Sequence, residues 1–127
     1  MKKILLLLLL VFISMISFSW TDNDCKKYFK GKWKYKNIPK DSIYVMRTLE
    51  KQIEYNTKGK YYYEFKIKWL NNCKYQLTYL GTNSPHPAVI KIGESLSVEI
   101  LNIGQTQMIY KTIFRDLQET DEMEKIE

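Results

Sequence analysis

Few residues of this chain have the side-chain types that catalysis or metal binding requires. His86 is the only histidine, and it lies between Pro85 and Pro87 with no acidic residue beside it. A general base or a nucleophilic triad needs a partner within reach, so His86 is expected in an exposed loop. Cys25 and Cys73 have no second Cys or His at ligand spacing. The sequence therefore predicts no catalytic residues, no metal site, no cofactor and no enzymatic activity.

Acidic side chains near the end of the chain are a further candidate for chemistry. Asp116, Glu119 and Glu122 could offer oxygen ligands to a hard cation. The sequence around them has no calcium-loop pattern, so we expect these carboxylates to be solvated.

The N-terminus has the features of a secretory signal peptide. Lys2 and Lys3 precede the apolar run from Ile4 to Ile13, and small residues follow up to Ser19. The strictly apolar run is too short to span a membrane. We expect residues 1–19 to be removed, leaving a secreted or periplasmic product without a membrane span.

Export decides the interpretation of the two cysteines. Oxidising compartments favour disulfides, so Cys25 and Cys73 are predicted to form one. Residues 20–127 are long enough for a single domain with one core.

The stretch from Tyr61 to Leu80 predicts a β-hairpin, because its polarity alternates with a period of two. Polar residues such as Glu64, Lys66 and Gln76 occupy the even positions. The aromatic and aliphatic residues share the odd positions: Tyr61, Tyr63, Phe65, Ile67, Trp69, Cys73, Tyr75, Leu77 and Tyr79.

Parity also predicts the turns, because cross-strand partners point to the same face. A three-residue loop at 70–72 would pair Trp69 with Cys73. A three-residue loop at 57–59, with Gly59 in the left-handed conformation, would place Tyr55 opposite Tyr61.

The remaining pattern predicts further short strands and an irregular loop at 81–87. The expected strands cover Gly31–Asn37, Ser42–Leu49, Ile53–Asn56, Ala88–Ile92, Leu96–Ile100 and Met108–Arg115. The acidic tail from Leu117 is either a short final strand or frayed. Seven or eight strands in a meander predict an all-β, antiparallel barrel, with a two-layer β-sandwich as the alternative.

The charge is unevenly distributed along the chain. The net charge is +6, and loss of Lys2 and Lys3 would lower it to +4. Lysines crowd residues 26–36, and acids crowd residues 116–127. Because Lys32 and Lys34 alternate with aromatic residues, we interpret them as the wet face of a strand rather than a nucleic-acid site, and the two chain ends as neighbours.

Residues 25–80 resemble a family of small secreted bacterial proteins of unknown function. The resemblance rests on Cys25, on Tyr28-Phe29-Lys30-Gly31-Lys32-Trp33, on Ile53-Glu54-Tyr55-Asn56 and on Phe65 to Leu77 with its W-x-x-x-C-x-Y core. It implies export and a β-structure, and it implies no activity.

A second resemblance is to the lipocalins and related calycin barrels. Gly31-Lys32-Trp33 near the mature start is similar to their G-x-W motif. In that family, an arginine of the last strand covers the tryptophan of the first strand. The resemblance implies that Arg115 covers Trp33.

Parity predicts an interior rich in large rings: Trp33, Tyr35, Val45, Arg47, Tyr55, Tyr63, Phe65, Ile67, Tyr75, Leu77 and Tyr79. These side chains are expected to fill most of a small barrel. An inward Arg47 must be paired or stacked, or it must hold a ligand carboxylate. Any pocket should lie at one open end, near Arg47 and the loop Ser84–Pro87.

The sequence thus predicts a small exported barrel that binds rather than transforms. The candidate ligand-binding residues are Arg47, Tyr55, Tyr63, Tyr75 and Tyr79, and the expected ligand is small and apolar or anionic. The alternative is a module with a filled core that binds an envelope protein or has a structural role. Export and the inward aromatic rings argue against a nucleic-acid partner.

Overall fold

Eight antiparallel strands follow one another around a closed barrel in a computed structural model, which describes residues 24–38, 42–58, 60–86 and 88–126. Each strand pairs with the next one along the chain, and the last pairs with the first. The strands are Gly31–Tyr35 (β1), Ile43–Arg47 (β2), Lys51–Asn56 (β3), Tyr61–Asn71 (β4), Lys74–Thr82 (β5), Ser95–Ile103 (β6), Gln107–Phe114 (β7) and Leu117–Lys125 (β8). The predicted all-β meander barrel is confirmed.

The seam between β1 and β8 closes the sheet. Trp33 lies opposite Lys125, and Tyr35 lies opposite Met123. Ion pairs reinforce the outer face of the seam, with a distance of 3.3 Å between Lys34 Nζ and Glu124 Oε2. The acidic tail is therefore a strand, and the prediction that the two chain ends are neighbours is confirmed.

A 3-10 helix, Cys25–Tyr28, closes one end of the barrel, which we call the closed end. Asp24 caps this helix by accepting a hydrogen bond from the Lys26 amide. The fully buried Phe29 follows the helix, and its carbonyl accepts a hydrogen bond of 2.9 Å from Trp33 Nε1. The helix is thereby fixed to the first strand.

The predicted disulfide is confirmed. Cys25 in the 3-10 helix is bonded to Cys73 in the β4–β5 turn, with a Cα–Cα distance of 5.1 Å. The bond joins the helix at the closed end to the hairpin on which the core is built.

The turn of the β4–β5 hairpin differs from the predicted three-residue loop. Asn71 pairs with Lys74, and Trp69 pairs with Tyr75 across a bulge at Leu70. The Asn71 side chain accepts a hydrogen bond from the Cys73 amide, which stabilises the tight turn. The bulge keeps Trp69 and Tyr75 on the inner face, so the predicted parity of the hairpin survives although the register does not.

The β3–β4 turn also differs from the prediction, and here the difference moves the side chains of β3 to the opposite face of the sheet. Asn56 pairs with Tyr61, and Tyr55 pairs with Tyr62 instead of Tyr61. One extra residue in the loop shifts every partner by one, which sends Tyr55 to the outer face. Its ring stacks there on Tyr44 at a centroid distance of 4.9 Å.

The β2–β3 turn lies earlier than predicted. Its residues are Thr48 to Glu50, and β3 already begins at Lys51. The Thr48 hydroxyl accepts hydrogen bonds from the amides of Glu50 and Lys51, which fixes the turn. Arg47 therefore faces Gln52 across the hairpin.

Residues 88–92 do not form the predicted strand. β5 pairs directly with β6 through Thr78 and Ser95, so the closed sheet has no free edge for another strand. Gly93, with a φ of 86°, turns the chain into β6. Ala88 and Ile90 lie in a loop instead, and the side chains of both pack against the core.

Two predictions fall outside the described residues, namely the signal peptide 1–19 and the conformation of Gly59. Within the described ranges, no helix has the length and apolar character needed to cross a bilayer. The same ranges contain no group of three potential metal-ligating side chains.

The disulfide should contribute strongly to stability, because it closes a loop across a sequence separation of 48 residues. In the chain-entropy model this corresponds to roughly 4 kcal/mol. Cys25→Ser combined with Cys73→Ser should lower the free energy of unfolding by about that amount in urea titrations. Unchanged unfolding of the double variant, relative to the oxidised wild type, would contradict this assignment.

Candidate functional site

The interior of the barrel is divided into a filled half and an open half. The filled half lies next to the 3-10 helix, where β4 ends and β8 ends. The open half lies at the opposite end, where Tyr35 ends β1 and Leu117 begins β8. The largest fully buried side chains are Trp33, Tyr75, Phe29, Met108, Met123 and Val45.

Arg47 is at the centre of the filled half and is only 5% exposed. Its Nε donates a 2.9 Å hydrogen bond to Gln52 Oε1, and its terminal nitrogens contact the sulfurs of Met108 and Met123 at 3.3 and 3.2 Å. The guanidinium carbon also lies 4.9 Å from the centre of the Phe29 ring. The prediction that Arg47 points inward and is paired or stacked is confirmed.

Aromatic rings complete the filled half. Phe29 meets Trp69 and Tyr75 edge to face, at centroid distances of 4.9 and 5.0 Å. Trp69 also donates a hydrogen bond to the Leu49 carbonyl, which fixes its indole. This packing leaves the closed end without room for a long chain-like ligand.

The open half contains a pocket with a volume of about 510 Å³, which we call the mouth pocket. Its walls come from five strands, β3, β4, β6, β7 and β8, and from the loop residues 88–90. The lining residues are Glu54, Tyr63, Ala88, Val89, Ile90, Leu96, Thr112, Phe114, Leu117 and Glu119. Most of this surface is apolar, and the apolar members Val89 and Leu117 remain 82% and 72% exposed.

Arg115 holds the loop at the rim of the mouth pocket. Its Nε and Nη2 donate hydrogen bonds of 3.2 and 3.1 Å to the two oxygens of Glu94, the last residue before β6. This bidentate contact lowers the pKa of Glu94. The Glu94 backbone is fixed in turn, because its carbonyl accepts a hydrogen bond from the Tyr79 amide.

The prediction that Arg115 covers Trp33 is wrong. Arg115 lies in the β7–β8 turn at the open end, whereas Trp33 pairs with Lys125 at the far end of β8. The last strand nevertheless supplies a cation to this ring, since Lys125 Nζ lies 5.3 Å from its centre. The same Nζ donates to the Tyr28 carbonyl, which binds the end of β8 to the 3-10 helix.

Glu54 lies at the floor of the mouth pocket, on β3. Protein surrounds its carboxyl group on most sides, and the part left accessible faces the cavity. Tyr35, which ends β1 two strands away, donates a hydrogen bond of 3.1 Å to Glu54 Oε2. Within the described residues, no ion pair involves Glu54.

Burial determines the ionisation of this pair. Desolvation raises the pKa of Glu54 above its usual value, while the hydrogen bond from Tyr35 and the charge of Arg47 oppose the shift. Burial, with Glu54 as the second cause, raises the pKa of Tyr35 well above its usual range. Tyr35 therefore remains a hydrogen-bond donor across the physiological pH range.

A smaller cavity of about 120 Å³ separates the mouth pocket from the filled half. Glu54 and Thr112 line both cavities, whereas Arg47 lines only the inner one. The acidic and the basic side chain thus lie at different depths of the barrel, and only the acidic one reaches the mouth pocket.

The five tyrosine and arginine residues predicted to bind a ligand do not form one site. Tyr63 lines the mouth pocket. Arg47 and Tyr75 lie deeper, Tyr79 is buried in the core, and Tyr55 is on the outer face. The mouth pocket lies at an open end, as expected, but its loop side consists of Ala88, Val89 and Ile90, and neither Arg47 nor any described residue of the loop at 84–87 lines it.

The sequence did not identify Glu54 as a site residue, because the predicted parity of β3 placed the Glu54 side chain on the outer face. An inward Arg47 was the available signal, since a buried guanidinium calls for polar partners on the facing strand. Once Arg47 pairs with Gln52, the even positions of β3 must point inward, and Glu54 is the next of them.

The other candidate residues are spread over the surface. His86 is exposed in the loop, where its amide donates a hydrogen bond to Ser84 Oγ. Asp116 is exposed in the β7–β8 turn, and Glu119 at the pocket rim is also exposed. Glu122 pairs with Lys36 at 2.7 Å on the outer face of the seam.

No protein-family model, no curated protein and no solved structure matches this chain.

Glu54→Gln should show how ionisation of the Glu54 carboxyl group changes the free energy of unfolding. Because the folded state raises the pKa of Glu54, it binds the proton more tightly than the unfolded state. The Glu54 contribution to the free energy of unfolding is then largest below the usual pKa, and it decreases as the pH rises through the raised pKa. Wild type should therefore lose stability relative to Glu54→Gln in urea titrations as the pH rises from below the usual pKa of a glutamate through the raised pKa of Glu54.

Tyr35→Phe tests the opposing effects of burial and hydrogen bonding on the pKa of Glu54. It removes the hydrogen bond that lowers the pKa of Glu54, so the carboxyl should titrate at higher pH in an NMR pH titration. A downward shift in this variant, or a wild type that gains stability over Glu54→Gln as the pH rises, would contradict the assignment.

Proposed function

We propose that this protein is a small exported binding module that takes a compact, partly apolar ligand into the mouth pocket. The observation that carries the proposal is the mostly apolar pocket of about 510 Å³ at one end of a barrel whose opposite half is filled by buried side chains. Small-molecule sites in proteins typically have volumes in this range and a mostly apolar lining with a few polar groups. Glu54 and Thr112 are such groups at the base of the cavity.

The surroundings of the pocket support entry of a ligand from solvent. Val89 and Leu117 line the pocket yet remain largely exposed, and Ile92 adds a further exposed apolar side chain nearby in the same loop. Exposed apolar surface beside a cavity is typical of binding sites. Strands form most of the walls, while one side consists of Ala88, Val89 and Ile90, which belong to a loop rather than to a strand.

The filled half limits the size of the ligand. Trp33, Tyr75 and Phe29 occupy the space that an extended acyl chain would need, and all three are fully buried. The proposal therefore favours a compact molecule over a long-chain fatty acid.

Export is part of the proposal. The cross-link between Cys25 and Cys73 supports a secreted or periplasmic location, because such bonds persist in oxidising compartments.

The alternative function is a protein-binding or structural module of the envelope. The same exposed side chains, Val89, Ile92 and Leu117, favour it, since they would also suit contact with another protein. The two functions differ in whether a small molecule binds inside the barrel.

The experiment uses the neutral, apolar fluorophore N-phenyl-1-naphthylamine, whose emission rises in apolar surroundings. We expect saturable binding of one fluorophore per barrel. Thr112→Phe should reduce binding at least about tenfold, because a large ring at this inward position would fill the pocket. Thr120→Phe places the same ring on the exposed face of β8 and should leave binding unchanged.

Two results would contradict the proposed function. One is the absence of saturable binding by wild type. The other is equal loss of binding in the Thr112 and Thr120 variants, which would place the fluorophore outside the pocket.

A further inference from the structure

We propose that the mouth pocket selects an organic amine, with Glu54 as the counter-ion of its ammonium group and the apolar walls around its hydrocarbon body. This inference rests on the proposed function and specifies the chemical class of its ligand.

The charge of the pocket lining is the first observation. Among the described residues that line the pocket, the only charged side chains are Glu54 and Glu119, and none is Lys, Arg or His. Loss of Lys2 and Lys3 would leave a net charge of +4, so the acidic lining of the pocket is opposite in sign to the net charge of the exported protein. A cation is favoured in such a cavity, because low-dielectric walls strengthen the attraction of its carboxylates.

The incomplete pairing of Glu54 is the second observation. Tyr35 donates to one carboxylate oxygen, and a carboxylate can accept several hydrogen bonds. Arg47 lowers the pKa of Glu54 from a distance, but in the described part of the barrel it is bound to Gln52, Tyr75 and two thioethers instead. A desolvated carboxylate without a close cation is unfavourable, so an incoming ammonium group would supply the missing partner.

The position of Tyr63 is the third observation. It is the cross-strand partner of Glu54 on β4, and it also lines the pocket. An aromatic side chain beside a carboxylate offers a cation a polarisable neighbour in addition to the charge. Leu96 and Phe114 supply the apolar surface for the body of the ligand.

An anionic ligand, one of the two ligand classes expected from the sequence, fits this geometry less well than a cation. It would meet the carboxylate of Glu54 at the floor and that of Glu119 at the rim. The guanidinium of Arg47 lies below the floor and is already enclosed by side chains that contact it. Ionised acids should therefore be rejected.

The test compares hexylamine, 1-hexanol and hexanoate, which share one alkyl chain and differ in the charge of the head group. Each is titrated at pH 7 against the bound neutral fluorophore. We expect hexylamine to bind at least about tenfold more tightly than 1-hexanol, and hexanoate to bind most weakly. This ranking needs only the wild-type protein, so it does not depend on the folding of any variant.

Variants then assign the selectivity to one carboxylate. Glu54→Gln should bring the affinities for hexylamine and 1-hexanol to within about twofold of each other. Glu119→Gln removes the exposed carboxylate at the rim and should preserve most of the preference, because exposed charges interact weakly.

The outcomes distinguish the two proposals. If the fluorophore binds and the three ligands compete equally, or hexanoate competes best, the amine inference is overturned and the proposed function stands. The amine inference is also overturned if the preference for hexylamine survives Glu54→Gln. If neither the fluorophore nor any of the three ligands binds, both proposals are overturned.

Discussion

The pairing of β1 with β8 is the constraint on which the rest of this structure depends. It joins the two ends of the chain through three cross-strand pairs, and ion pairs between the basic start and the acidic end reinforce it. Closure removes both free edges of the sheet, so the aromatic inner face is shielded on all sides. It also leaves the segment at 83–94 no edge to join, which is why an apolar loop lies at the open end rather than a ninth strand.

Within the barrel, the buried basic and acidic side chains lie at different depths. Arg47 is enclosed in the filled half by Gln52, thioethers and aromatic rings, while Glu54 lies nearer the open end with Tyr35. Arg47 on β2 and Glu54 on β3 both point inward, because the β2–β3 turn pairs Arg47 with Gln52 and Val45 with Glu54. The arrangement combines a densely packed base with a pocket in which, among the described lining residues, the deep charged side chain is the negative Glu54, and the base explains the limit on ligand length.

The sequence predicted the architecture better than the site. Alternating polarity identified β4 and β5, two cysteines predicted the disulfide, and parity placed Arg47 inside. Turn lengths were harder to predict. A loop that is longer by one residue is equally compatible with the local sequence, but it moves every side chain of the strand to the opposite face of the sheet. Because of this one uncertainty, the sequence predicted that Tyr55 points inward, whereas Glu54 does, and the acidic residue at the floor of the pocket was not identified. Residues 88–92 form no strand although their polarity alternates, because alternation indicates which side chains point inward, whereas a strand also needs a free sheet edge to pair with.

The central claim is that an amine enters the mouth pocket and places its charged group at Glu54. The most direct measurement is a set of intermolecular nuclear Overhauser effects between hexylamine and the isotopically labelled protein. The account predicts contacts from the methylene next to the nitrogen to Glu54 and Tyr63, and from the far end of the chain to Phe114 or Leu96. Contacts confined to the outer-face rings of Tyr44, Tyr55 and Tyr62, or their complete absence at saturating amine, would contradict it.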